Sequence, residues 1–162
     1  MNECWVVNAS PVICLAKAGQ IEILLNLPEK IIIPNAVAEE IHAGPSGDPA
    51  RQILSLGKFM IAEVMTLPEI IAWDLGQGEA SVLSYAKANT GWTAIIDDLA
   101  ARKCARGLAI PYIGTLAVVI MAKKRGLIAS AADVMRSLQA AGLRLDDEVI
   151  RSAIKQTVDE EW

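Results

Sequence analysis

Five side chains, scattered from one end of the chain to past its middle, have types suited to a single task. Asn8 follows the apolar run "CWVV", Glu40 lies in "AVAEEI", Glu79 in "LGQGEAS", and Asp97 and Asp98 follow "TAII". Carboxylates joined by an amide oxygen form the donor set of a hard divalent cation such as Mg²⁺ or Mn²⁺, which takes a few protein oxygens and keeps several waters. Such a cation neutralises a phosphate and acidifies the water beside it. Each residue also has a plainer use. Glu79 at a helix start is favoured by the macrodipole, Asp98 suits an N-cap, Glu40 beside Glu39 fits a wet helix face, and Asn8 fits a cap or turn. Only their convergence in space argues for chemistry.

Other chemistries find little support. His42 is the only histidine, and Cys4, Cys14 and Cys104 show no C-x-x-C spacing. A zinc site and a Ser-His-Asp triad both need more than this, and the thiols read as reduced and buried.

The elements that must position the five residues follow from hydrophobic patterning. Short apolar runs alternate with helical patterns, the signature of βαβ units and a mostly parallel sheet. "CWVVN", "KIIIP", "FMIAEV", "TAIID" and "AIPYI" are the expected strands. Because βα connections project to one side, Asn8, Glu40, Glu79 and the Asp97–Asp98 pair are all expected near the carboxyl ends of the strands, where α/β proteins bind ligands. Ser10 is expected to cap the first helix with Pro11 at its first position, and Thr66-x-x-Glu69 reads as a capping box. The pattern in "SPVICLAKAGQIEILLNL" breaks near Gly19, and "GPSGDP" reads as a loop.

The chain has 162 residues, 53% of them hydrophobic and 21% charged, enough for one well-filled core. A single domain over residues 1–162 is expected, with the helical patterns from about residue 129 onward packing on it or on a partner. No apolar run is long enough to span a bilayer and no signal-peptide pattern is visible, so a soluble, cytoplasmic protein is expected. The net charge of −4 and pI near 5.0 argue against broad affinity for nucleic acid. The exception is local: Arg102, Lys103, Arg106, Lys123, Lys124 and Arg125 cluster in the stretch that carries Asp97 and Asp98.

"VVNASPVICLAKAG", "IIIPNAVAEEI", "LGQGEASVLSYAKA", "IIDDLAARKCARGLAI" and "GTLAVVIMAKKRGLI" occur in the order and spacing of PIN-domain proteins. Up to about Ile128 the chain resembles the bacterial and archaeal branch related to VapC-type toxins. The resemblance implies a three-layer α/β/α domain with a mostly parallel sheet of about five strands. It implies a ribonuclease that uses Mg²⁺ or Mn²⁺, with Asn8, Glu40, Glu79 and Asp98 as metal ligands and Glu40, Glu79, Asp97 and Asp98 as the catalytic carboxylates. Ser10 and Thr115 match small hydroxyl positions near such a site, and Arg102 and Lys103 are the cations expected to meet the RNA backbone. In-line attack of a metal-activated water on single-stranded RNA is the implied reaction. A small antitoxin and a second copy of the chain are the implied partners.

The departure is Asn8, where catalytically active PIN nucleases usually carry Asp. An amide oxygen still binds a hard cation but brings no charge. The alternative is therefore a weak or inactive PIN domain that binds RNA or a protein. A receiver-like domain also gathers acids at strand ends, but "FMIAEVMTL" offers no Asp and "AIPYIGT" no Lys for that chemistry.

Overall fold

The computed structural model describes residues 3–162, and five parallel strands lie at its centre. They are β1 (Cys4–Val7), β2 (Lys30–Pro34), β3 (Met60–Ala62), β4 (Trp92–Ile95) and β5 (Tyr112–Ile113), in the order β3-β2-β1-β4-β5. Trp5, Val6 and Val7 point alternately to the two faces of the sheet, and all three are fully buried. Helices therefore cover both faces, as an all-parallel sheet requires.

Ten helices join and flank the strands among the described residues: α1 (Ala9–Lys17), α2 (Glu22–Asn26), α3 (Asn35–His42), α4 (Pro49–Ser55), α5 (Pro68–Ile71), α6 (Gln77–Ala88), α7 (Leu99–Gly107), α8 (Thr115–Lys124), α9 (Ala131–Ala140) and α10 (Asp147–Val158). From β1 the chain builds outward through β2 to β3, then returns to place β4 on the other side of β1. The strand order reverses between β1 and β4, and connections leaving these two strands diverge to open a crevice at their carboxyl ends. Asn8 leaves β1 at that crevice, and Asp97 and Asp98 leave β4 there. Asn8 N–H donates to the Ile95 carbonyl at 3.1 Å across it.

Local differences from the sequence reading have simple causes. Helix α1 begins at Ala9 with Asn8 in the cap position, so Ser10 lies in its first turn. The Thr66-x-x-Glu69 capping box does not form. Pro68 fixes the start of α5 one residue later, Leu67 occupies the cap, and the Leu67 N–H donates instead to Ser84 Oγ at 3.0 Å. The break at Gly19 is a turn with φ +70°, a left-handed conformation natural to glycine.

The C-terminal helices close the same core. Helix α9 packs on α8 and α1, and α10 packs on α8 and α9. Met135, Leu138, Ile150 and Ile154 are fully buried in the cluster that includes Trp5. Beyond α10 the chain folds back, and the Glu160 carboxylate accepts from Ser130 Oγ (2.8 Å) and from the N–H groups of Ala131 (2.9 Å) and Ala132 (3.0 Å). These donors belong to the first turn of α9, whose N–H groups have no partner inside the helix. No described helix is long and apolar enough to cross a membrane.

Candidate metal centre

A capping Asn ordinarily accepts from the N–H of the second or third helical residue. In α1 the third is Pro11, which has no N–H, and the Asn8 side chain makes no capping bond. Its Oδ1 is buried without any hydrogen-bond partner in a residue only 6% exposed. Leaving such an acceptor unsatisfied costs about 1–3 kcal/mol.

The reason lies in what faces it. A methyl group on Gly78, in the first turn of α6, would stand 3.5 Å from Asn8 Oδ1, 3.6 Å from Glu40 Oε1 and 3.3 Å from Val37 Cγ2. The bare glycine thus lets the start of α6 close on α3 and on the end of β1, bringing the Asn8 and Glu40 oxygens to the same spot. Glu79 follows immediately. Burial pushes its carboxyl above the usual range, and the charges of Asp98 and Glu40 push it further in the same direction. Three carboxylates from three different elements therefore share one electrostatic neighbourhood with the unpartnered amide.

Asp98 has two jobs. Its Oδ2 accepts from the Ala101 N–H at 3.0 Å and caps α7, while no described residue donates to its Oδ1. The plain reading of Asp98 as an N-cap and its reading as an oxygen donor are both compatible with this geometry.

Asp97 is engaged by its neighbours. It accepts from the Thr115 N–H at 2.8 Å and from Thr115 Oγ1 at 2.5 Å, and pairs with Arg102 Nη2 at 3.7 Å. Arg102 also donates from Nε to the Ile96 carbonyl at 3.2 Å and lies over the Tyr112 ring. Thr115 is fully buried. A side chain on Gly114 would overlap the Arg102 guanidinium and crowd Asp97. These residues form a latch that ties the end of β4 to α7 and α8. Thr115, Arg102 and Asp97, expected at the substrate and catalytic positions, are here engaged with one another. Lys103 is exposed on α7 but does not line the site.

Asn8, Ser10, Glu79, Asp97, Asp98 and Leu99 line one side of an open cavity of about 440 Å³. Gly142, Leu143 and Arg144, from the turn between α9 and α10, line the other. Glu40 stands outside this lining, behind Gly78. Sequence reasoning missed Gly78, Gly114 and Arg144. The glycine spacing in "GQGE" was a usable signal for the first, but nothing local marks the other two. A larger depression of about 550 Å³ beside β3 is lined by Glu39 and Glu63 and includes none of the five residues.

No three His, Cys, Asp or Glu side chains among the described residues stand close enough together to hold one ion between them. The oxygen donors available to a cation are Asn8 Oδ1, Glu40, Glu79 and Asp98. An orphaned amide oxygen beside mutually repelling carboxylates fits a hard cation that keeps much of its own water. Thiol chemistry is absent from the site: Cys14 and Cys104 are buried and unpaired, and burial raises both thiols, which makes them inert.

Comparison with known proteins agrees with this architecture. The crystal structure of PAE2754 from Pyrobaculum aerophilum superposes with a TM-score of 0.53 at 19% identity, over 76% of this chain and 99% of that one. At that identity the likeness is one of fold. No curated protein matches the sequence. The family model described as "DUF3368: PIN domain" matches residues 4–159, nearly the whole chain. The chain belongs to the DUF3368 family of PIN domains.

Proposed function

We propose that this chain is a Mg²⁺- or Mn²⁺-dependent endoribonuclease acting on single-stranded RNA at the β1–β4 crevice. PIN domains are generally nucleases, and PIN nucleases act on RNA. The observation that carries the reading here is the buried, unpartnered Asn8 Oδ1, set beside Gly78 with the Glu40 carboxylate, in a residue that lines the same cavity as Glu79 and Asp98. A cation bound to these oxygens would satisfy the orphan acceptor, relieve the repulsion among the carboxylates and offset the charge of a phosphodiester.

The roles of the side chains follow from their surroundings. Asn8, Glu40 and Asp98 would hold the cation. Glu79, whose proton affinity burial has raised, accepts the proton of the attacking water as the new P–O bond forms. The opposite P–O bond breaks, and its oxygen takes a proton from solvent. The latch of Asp97, Arg102 and Thr115 positions Asp98 by fixing the turn between β4 and α7. Ser10 lies exposed on the rim.

The toxin half of a toxin–antitoxin pair, acting as a homodimer and masked by a small antitoxin, is the biological setting we propose, supported by the motif series shared with VapC-type proteins. The second reading, a binding module without catalysis, is favoured by the neutral Asn8 and by the lack of a compact three-carboxylate cluster. One experiment separates them. Asp98→Asn keeps a good N-cap on α7 and removes one charge from the site. With Mn²⁺, the parent is expected to cleave a fluorescent single-stranded RNA and Asp98→Asn to lose at least 100-fold of that rate (about 3 kcal/mol). A parent that does not cleave, or a variant that cleaves equally well, refutes the nuclease reading.

A further inference from the structure

The α9–α10 turn forms one wall of the acidic cavity. Arg144 is the only cationic residue among the described residues that line the cavity. Its neighbours alternate: Leu143 is buried, Arg144 exposed, Leu145 half-buried against the core. The turn is held firmly. Leu143 N–H donates to the Leu138 carbonyl at 2.9 Å, Gly142 supplies φ +112°, Gln139 Nε2 donates to the Leu145 carbonyl at 3.2 Å and to Asp147 Oδ1 at 3.0 Å, and Asp146 caps α10. The backbone carrying Arg144 is thus fixed at the cavity while its side chain is not. Among the described residues Arg144 makes no ion pair and no hydrogen bond, although carboxylates line the opposite wall.

A guanidinium held at the edge of an acidic cavity, without a protein partner, suits an anion arriving at that cavity. Arg presents a planar fork that fits a phosphate bidentately. The cations of α7 do not compete for this role, since Arg102 is held by Asp97, Ile96 and Tyr112 and Lys103 lies off the cavity. We infer that Arg144 is the contact through which the C-terminal helical pair binds a phosphate of the polynucleotide entering the site. The inference rests on the nucleic-acid reading of the cavity but not on catalysis there.

The test is binding of a fluorescein-labelled single-stranded RNA of about 20 nucleotides, measured by anisotropy in EDTA across a salt series, so that no cleavage interferes. Arg144→Gln is expected to weaken binding about tenfold at low salt and to flatten the slope of log Kd against log salt by about 0.7, the value for one lost contact to a single strand. Arg144→Lys is expected to keep most of the slope. Lys87→Gln, at the far end of α6 and exposed, removes the same charge and is expected to leave the slope unchanged. Equal slopes for the parent and Arg144→Gln, equal losses for Arg144→Gln and Lys87→Gln, or no binding by the parent would each overturn the inference. Failure of the nuclease reading shows differently: RNA is bound in an Arg144-dependent way, but Mn²⁺ elicits no cleavage.

Discussion

Asn8→Asp changes one atom's identity and adds one charge at nearly constant volume, where the structure already concentrates negative charge. Asn8 Oδ1 and Glu40 Oε1 both lie beside the space a Gly78 side chain would fill, which limits their separation to about 7 Å; at an effective dielectric of about 20, two unit charges that far apart repel by about 2 kcal/mol. Glu79 and Asp98 add to this. In a chain of this size about 2 kcal/mol corresponds to about 4–8 °C in Tm. Without metal at pH 7, Asn8→Asp is therefore expected to melt about 4–8 °C below the parent. The deficit should shrink as pH falls, because protonating either carboxyl removes the repulsion. Glu79 shows the same sign in the parent: a carboxyl raised in the folded state weakens the fold above its folded pKa and is relieved below it. Millimolar Mn²⁺ should reverse the order, since a cation at 100 times its Kd contributes about 2.7 kcal/mol and the charged variant binds it more tightly. The assay is thermal denaturation of both proteins at pH 7 and pH 5, with EDTA and with Mn²⁺. Equal melting of the two in EDTA refutes the clustering of oxygens. A deficit that Mn²⁺ leaves unchanged refutes the cation site.

Gly78→Ala should leave stability within about 1 kcal/mol of the parent, because helix propensity gained offsets a tight contact with Val37, while reducing the Mn²⁺-induced rise in Tm by at least half. Gly114→Ala should lower stability by about 1–2 kcal/mol in denaturant titrations, since it displaces Arg102 from Asp97 and loosens hydrogen bonds to a charged group. Glu160→Gln should destabilise by about 1–3 kcal/mol. Burial alone would raise the Glu160 carboxyl, but hydrogen bonds from Ala132, Ala131 and Ser130 and the charge of Lys123 outweigh it and hold it low. The stabilisation is therefore present above the ordinary carboxylate pKa and fades as pH falls through the lower folded value. The difference between Glu160→Gln and the parent should accordingly narrow in acid melts.

The framework was legible because the chain's local patterns agree with its global topology. Four of the five strands lie within the apolar runs that mark them and β4 starts one residue earlier, at Trp92, while the position of Asn8 after "CWVV" follows from the strand alone. What was hidden depends on distance in sequence. Asp97 and Asp98 look alike as neighbours in "IIDDL" and both line the cavity, yet one binds Thr115 and the other caps α7, a division set by the turn between β4 and α7. Arg144 is an ordinary residue of a polar turn until α9 and α10 fold onto α8 and bring it to the acids. The Thr66 capping box failed because Pro68 defines its own helix start and Ser84, from α6, supplies the partner that Leu67 needs. Gly114 carries no local signal, since its small size matters only to an arginine on another helix.

The reversal of strand order between β1 and β4 also bears on kinetics. Asn8 and Asp98 become neighbours only when strands separated by most of the intervening chain have paired, Cys4 beside Trp92 through Val7 beside Ile95. Such long-range pairing forms slowly. An oxygen site astride this seam exists in the native protein and in no fragment that lacks either strand, so a cation cannot nucleate its own site from the unfolded chain. Its effect is expected on the unfolding limb: Mn²⁺ should slow the parting of β1 from β4 and leave the folding rate nearly unchanged, a lock on the finished sheet.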